Sequence, residues 1–375
     1  MYGLLPARLG PGFKRFSPSF MPGEGEEIQM KILRNWGLIL TAALLLALVA
    51  GCGSKNDETN AGASGSPSAS ASAPAATESA SASPSASAPA SEGAKKTEYP
   101  LTVQDATGQT FTFDKAPERI VSTSPAETEI LFALGLGDKI VGVSDYDNYP
   151  EETKDKQKVG GITKPNEEAI VGLTPDLVVT GISMPDEVVQ KLRGLKLNLY
   201  KTEPKTLDDI MQDILDLGVV TDRQTEAEAL VASMKEDVKK VQDAVASVKP
   251  EEKKKVYVEF APGWTVGKGE FMDELITIAG GVNIAGDTTG WNEISEEKIV
   301  QSNPDVILFT LGVTDDKSGK TLEEIIRGRS GWDQIAAIKN GRVVGVDQDI
   351  LSRPGPRITQ GLLDVAKAIY PDLVK

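Results

Sequence analysis

The stretch Glu167–Val179, EEAIVGLTPDLVV, decides the fold because it occurs twice. Glu296–Leu308, EEKIVQSNPDVIL, matches it without gaps, and the Glu-Glu, Ile-Val and Pro-Asp pairs coincide. Each copy reads as a short helix, a proline stop and a buried strand, since proline cannot continue a helix and an apolar run follows it. Between the copies lies one long helical pattern, Thr225 to Lys249. Ala227, Leu230, Met234, Val238, Val241, Val245 and Val248 recur there at three- and four-residue steps. At 1.5 Å per residue it would span about 36 Å. Lys249-Pro250 and then Lys253-Lys254-Lys255 stop it. An ordinary surface helix within one domain is the alternative. The position between two copies of a motif predicts a strut instead, with residues 224–250 linking a lobe at 99–223 to a related lobe at 251–375.

Outward from the repeat, short apolar runs alternate with helical patterns. Ile120–Ser122, Ile140–Ser144, Leu177–Thr180, Leu197–Tyr200, Val256–Phe260, Val306–Phe309 and Val343–Val346 are the strand candidates. Such alternation implies parallel sheets with helices on both faces. Ahead of them, Leu101–Val103 and Thr110–Phe113 flank Asp105-Ala106-Thr107-Gly108 as a β-hairpin. Ser124-Pro125-Ala126-Glu127 reads as a helix start with Ser at the N-cap, Pro at N1 and Glu at N3, a capping box, and Gly135 ends that helix. The predicted fold class is α/β: two Rossmann-like lobes with parallel sheets, joined by one long helix, and a ligand cleft between the lobes. Strand-to-helix turns at the carboxyl edge of such sheets are where ligands bind.

The first hundred residues read as address and tether. Lys31 and Arg34 precede an apolar run from Trp36 to Ala50, too short for a comfortable spanning helix of about 20 residues but suited to a signal peptide, residues 30–51. It ends Leu48-Val49-Ala50-Gly51-Cys52, which resembles a bacterial lipobox, so Cys52 is the expected lipid attachment site. Residues 1–29 fit no targeting pattern. Gly23-Glu24-Gly25-Glu26-Glu27 reads like a translated ribosome-binding site, so Met30 is the expected start and 1–29 an untranslated extension. Residues 52–98 are rich in Ser, Ala and Pro, lack the apolar side chains that offset ordering entropy, and read as a tether with a mean reach of roughly 35–40 Å. The expected location is the extracytoplasmic face of the cell membrane, lipid-anchored, on a Gram-positive cell.

Composition excludes several classes. The chain has 375 residues and a net charge of −15, which repels phosphate backbones and disfavours nucleic acid. It has no histidine, which removes the commonest general base and zinc ligand. Its one cysteine leaves no internal disulfide. No catalytic residues, metal site or cofactor are expected.

The folded part resembles the helix-linked substrate-binding proteins of ABC importers that serve cobalamin, ferric siderophores and haem. The resemblance rests on Arg119–Gly135 (RIVSTSPAETEILFALG), Val141–Pro150 (VGVSDYDNYP), Ala279–Ile284 (AGGVNI) and Ser352–Ile358 (SRPGPRI). It implies a monomer that binds a small molecule, works with an ABC permease homodimer and its ATPase subunits, and is not an enzyme. Within the family the chain looks most like the cobalamin-binding members. That likeness puts Tyr146, Tyr149, Trp264 and Trp291 as flat walls for a corrin ring, with Asp349 and Arg353 bonding its peripheral amides. It also implies that Glu168 and Glu297, one per lobe, dock on permease arginines, with Glu167 and Glu296 as adjacent registers. The alternative ligand is a ferric siderophore, for which Arg353, Arg357 and Lys164 offer charge, or haem, for which Met184, Met272 or a Tyr would have to supply the axial ligand. A two-carboxylate hydrolase is a third possibility, and it needs the carboxylates within roughly 5–10 Å, whereas the duplicated Glu pairs fall in separate lobes.

Overall fold

The computed structural model describes residues 95–374. The expected signal segment, Cys52, residues 1–29 and most of the tether lie outside the described residues. The first lobe opens with a hairpin, β1 (Leu101–Gln104) and β2 (Thr110–Phe113). It continues with β3 (Ile120–Ser122), α1 (Pro125–Ala133), β4 (Ile140–Val143), β5 (Gln157–Lys158) and α2 (Glu167–Gly172). Then come β6 (Leu177–Thr180), α3 (Asp186–Gly194), β7 (Leu199–Lys201) and α4 (Leu207–Val220). After α5 (Gln224–Val245) the second lobe runs β8 (Lys255–Glu259), β9 (Trp264–Val266), α6 (Phe271–Ile278), β10 (Val282–Asn283), β11 (Trp291–Glu293) and α7 (Glu296–Ser302). It closes with β12 (Val306–Leu311), α8 (Leu322–Gly328), α9 (Ala336–Lys339), β13 (Val343–Asp347), α10 (Gln348–Ser352) and α11 (Ile358–Ile369).

Each lobe is built on a parallel sheet, ordered β5-β4-β3-β6-β7 in the first and β10-β8-β12-β13 in the second. The sequence repeat survives in the backbone. Thr174 and Asn303, at the same repeat position, both adopt left-handed conformations, with φ of 47° and 48°. The repeat's Asp accepts from the first strand of its own sheet: Asp176 from the Arg119 N–H (2.9 Å) and Asp305 from the Lys255 N–H (2.8 Å). Strands buried on both faces carry apolar residues at every position. In β6, Leu177 and Val179 face the central core while Val178 faces an outer layer with Val189 and Leu192. In β12, Val306 and Leu308 face the core while Ile307 and Phe309 meet an outer layer with Trp332.

The linking helix differs from the expected bare strut. It has 22 residues, about 33 Å at 1.5 Å each. It ends at Val245, short of Lys249, the residue that Pro250 restricts to extended backbone. It packs on α4 of the first lobe and on α6 and α11 of the second. Ala227, Val231, Met234, Val241 and Val245 are buried in a core that continues into both lobes. A Cβ on Gly218 would lie 2.5 Å from the Ala227 Cβ, so the bare glycine lets α4 and α5 meet closely.

One helix start is corrected. Ser124 holds the N-cap position of α1 in extended conformation, but no side-chain cap forms. The Glu127 side chain turns inward instead, is 1% exposed, and accepts from the Thr202 hydroxyl at 2.6 Å. A buried hydroxyl partner has displaced the expected capping box.

Candidate functional cleft

In each sheet the chain runs outward from its first strand in one direction, then returns to continue on the other side. The reversals fall between β3 and β6 and between β8 and β12. Crevices at the carboxyl ends of strands flanking such reversals bind ligands. Two adjoining cavities lie there, about 560 Å³ and 340 Å³, sharing Ile182, Ser183 and Ser352. Both fall in the range of small-molecule sites, about 300–1,000 Å³. Their walls come from both lobes. Ser124 follows β3, Ile182 and Ser183 follow β6, and Glu203 follows β7. Phe260 follows β8, while Asp349, Ser352 and Arg353 follow β13.

The larger cavity has an aromatic wall. Trp291 meets Phe260 edge-on, with centroids 5.1 Å apart at 87°, and tilts against Phe271 at 5.4 Å. Interlocked rings of this kind hold a flat apolar face in place. Trp264 lies on the antiparallel ribbon that β9 forms with β11, exposed, and lines neither cavity.

The smaller cavity is polar. Tyr146, Asn148, Asp349 and Arg353 line it. Arg353 bonds Asp349 (2.8 Å), Glu129 (2.9 Å) and the Asn148 side-chain oxygen (2.8 Å), and the Asn148 amide donates to Asp349 (2.8 Å). Arg357 donates twice to Glu129, at 2.8 and 2.7 Å, and that bond holds its guanidinium above its usual pKa. This clasp joins α1 of the first lobe to the second lobe across the cleft. Tyr149 lines neither cavity; the Arg357 guanidinium covers its ring at 4.1 Å.

Several of the cleft's charges are already paired. Glu203 pairs with buried Lys201 at 2.7 Å, and Arg353 is held by carboxylates. Among the described residues, Lys205 is the one cation lining the cavities without an ion partner, and Glu270 lines the same cavity. Lys164 and Arg357 line neither cavity. Met272 lines the larger one, whereas Met184 packs in the outer layer of the first lobe.

The duplicated glutamates are distinguished by their partners. Glu167 pairs with Lys191 (2.6 Å) and Glu296 with Arg329 (3.3 Å). Glu168 has no ion partner among the described residues, and Glu297 accepts only from Gln301 of its own helix (2.9 Å). Both are exposed.

Sequence reading missed Phe260, Phe271, Ser183, Ser352 and Glu127 as cleft residues. For Phe260 and Ser183 the available signal was position, just past the carboxyl end of a strand. Ser352 opens the SRPGPRI motif, whereas nothing in the sequence singles out Phe271.

Comparison with known proteins agrees with this architecture. A family model described as periplasmic binding protein matches residues 120–350. An uncharacterized ABC transporter substrate-binding lipoprotein of Bacillus subtilis, YvrC, is 34% identical over 91% of this chain and 98% of its own. A cobalamin-binding protein of Halobacterium salinarum is 30% identical, over 75% of this chain and 77% of its own. Among solved structures, the periplasmic heme-binding protein RhuT from Roseiflexus sp. RS-1 superposes with a TM-score of 0.60 at 28% identity, covering 68% of this chain and 98% of that one. With two repeat-related lobes, a cleft at their facing strand ends and these matches, the chain belongs to the periplasmic binding protein family of ABC transporter substrate-binding proteins.

Proposed function

We propose that this chain captures cobalamin or a related corrinoid in the interlobe cleft and hands it to an ABC permease homodimer with its ATPase subunits. The observation that carries the reading is the cleft's composition: an interlocked aromatic wall beside polar groups, with Arg353 already held by carboxylates. A corrin ring offers a broad flat face and peripheral amides, which match such a lining. An anionic ferric siderophore or the propionates of haem would meet little uncommitted positive charge there. The cobalamin-binding relative supports the same choice. Trp291 and Tyr146 would contact the ring, and Asp349 and Arg353 would reach its amides from within their clasp. Tyr149 and Trp264 would act only if the cleft rearranges around the ligand. Haem is the second reading, favoured by the likeness to a heme-binding structure and by Met272 in the larger cavity.

Glu168 and Glu297 are the proposed permease contacts, because their neighbours Glu167 and Glu296 are neutralised within the chain. Cys52 is the proposed lipid anchor, consistent with a relative that is a lipoprotein. The chain would then work as a tethered monomer outside the membrane, without catalysis.

Titration of purified protein with cyanocobalamin, hemin and a ferric hydroxamate, read by tryptophan fluorescence, tests the ligand. Cyanocobalamin should bind most tightly, and tighter hemin or siderophore binding would refute the choice. Combined Glu168→Lys and Glu297→Lys should leave that affinity unchanged, move stability by less than about 0.5 kcal/mol, and abolish ligand uptake by cells. Retained uptake would remove the docking assignment.

A further inference from the structure

The larger cavity holds one cation that the protein does not use. Lys205 belongs to the Glu203-Pro204-Lys205 segment, which leaves the carboxyl end of β7 and enters α4. Its backbone is fixed. Pro204 is buried, and the Lys205 N–H donates to the Asp209 carboxylate at 3.1 Å, beside the capping box that Thr206 and Asp209 form. Its side chain is exposed and has no ion partner among the described residues. The nearest acid in the same segment, Glu203, is already paired with buried Lys201 at 2.7 Å.

Two more uncommitted polar groups line the same cavity. The Ser183 hydroxyl, just past the end of β6, makes no hydrogen bond to the protein among the described residues. Glu270 holds the N-cap position of α6 on the second lobe, but its side chain caps nothing and has no ion partner among the described residues. The free cation and hydroxyl therefore belong to the first lobe and the free acid to the second, with the aromatic wall of Trp291 in the same cavity. A corrin ring and its peripheral amides ask for no cation. A complete cobalamin carries in addition a nucleotide loop joined through a phosphodiester, its anionic side group at neutral pH, and a cobinamide lacks that loop. A phosphate oxygen accepts a charge-assisted bond from an ammonium, and lysine serves phosphate as a point charge.

We infer that Lys205 receives the phosphodiester of the nucleotide loop, with the Ser183 hydroxyl as a second donor, so that the cleft selects complete cobalamins over cobinamides. The inference rests on the corrinoid reading and adds which part of the ligand lies against the first lobe. Glu270 acts in the opposite sense. Its carboxylate repels the phosphate from the second lobe, so the loop hangs on the first-lobe side while the ring lies against Trp291. Because the Lys205 side chain is exposed, salt screens its contribution.

Paired titrations with cyanocobalamin and dicyanocobinamide, both uncharged overall, test it on the wild type, Lys205→Gln and Glu270→Gln. The readout is the ratio of the two affinities, which cancels any general damage to the cleft. The wild type should prefer cyanocobalamin. Lys205→Gln should cut that preference about two- to fivefold, the worth of an exposed ion pair, with the loss falling on cyanocobalamin. Glu270→Gln should raise the ratio. Raising salt from about 0.02 M to about 0.5 M shortens the screening length from about 20 Å to about 4 Å. It should shrink the wild-type preference toward that of Lys205→Gln and leave the ratio of that variant almost unmoved. An unchanged ratio in Lys205→Gln, or ratios that move the same way in both variants, overturns the inference, while tight cyanocobalamin binding keeps the corrinoid reading standing. If the wild type binds neither corrinoid, the corrinoid reading falls and the inference falls with it.

Discussion

The two lobes share a scaffold and differ in which buried acids they leave without a cation. In the second lobe, Glu259 at the end of β8 is fully buried and meets Arg329 through two bonds of 2.6 Å, while the same guanidinium stacks over Trp332 at 4.5 Å. In the first lobe, Asp105 meets Arg193 and Glu129 meets Arg353 and Arg357 in a similar way, but Glu127 and Asp213 have no ion partner among the described residues. The strand ends differ too. The second lobe supplies the aromatic trio Phe260, Phe271 and Trp291 along with Asp349 and Arg353, and the first supplies Ser124, Tyr146 and Ser183. One duplicated frame has come to present different side chains to the cleft from its two halves. A repeat fixes where strands end; the residues just beyond the ends fix what can bind.

The sharpest way to break the contrast is to remove the second lobe's cation. Arg329→Leu should strand the Glu259 carboxylate and cost about 3–5 kcal/mol, the penalty for an unpaired buried charge. Chemical denaturation would measure it, and a loss below about 1 kcal/mol would mean the pair is not holding the lobe together.

Asp213→Asn should stabilise. The unfolded aspartate ionises from about pH 4, whereas the folded one keeps its proton until about pH 8. The folded state is therefore penalised increasingly across that window, and the penalty is constant above it. The variant should match the wild type near pH 4 and gain up to about 4 kcal/mol by pH 7, about 1.36 kcal/mol for each unit of that window. A gain independent of pH would show that the acid is not protonated. Gly181→Ala should come next, at about 1–3 kcal/mol, because its methyl would press on the Glu127 oxygens. Combining it with a smaller residue at 127 should recover most of that loss. The smallest effect compares the repeat copies directly. Thr174 is β-branched in a left-handed conformation that Asn303 occupies more easily. Thr174→Asn should gain roughly 0.5–1 kcal/mol and Asn303→Thr should lose a similar amount, both readable from thermal melts.

Much of the fold was legible because it repeats and because its periods are simple. The matched Pro-Asp segments marked equivalent strands, and the spacing from Ala227 to Val248 marked the linking helix. What stayed hidden depends on residues distant in the chain. Ser124 and Glu127 spell a capping box locally, yet Thr202, 75 residues on, draws the carboxyl inside. Tyr149 reads as a ligand wall, and the stacking of Arg357 on its ring comes from a residue 208 positions away. Phe271 looks like a core residue of α6, which it also is, and only the fold turns its neighbourhood toward the cleft. The partners that set the adjacent glutamates apart, Lys191 and Arg329, are likewise distant in the chain, and no local pattern encodes their proximity.

A crystal structure of the protein soaked with cyanocobalamin tests the central claim most directly. The account predicts one corrinoid between the lobes, its ring against Trp291 and its side groups reaching Ser124 and Arg353. Density for the corrinoid on an outer face, with the interlobe cleft holding only solvent, would contradict it.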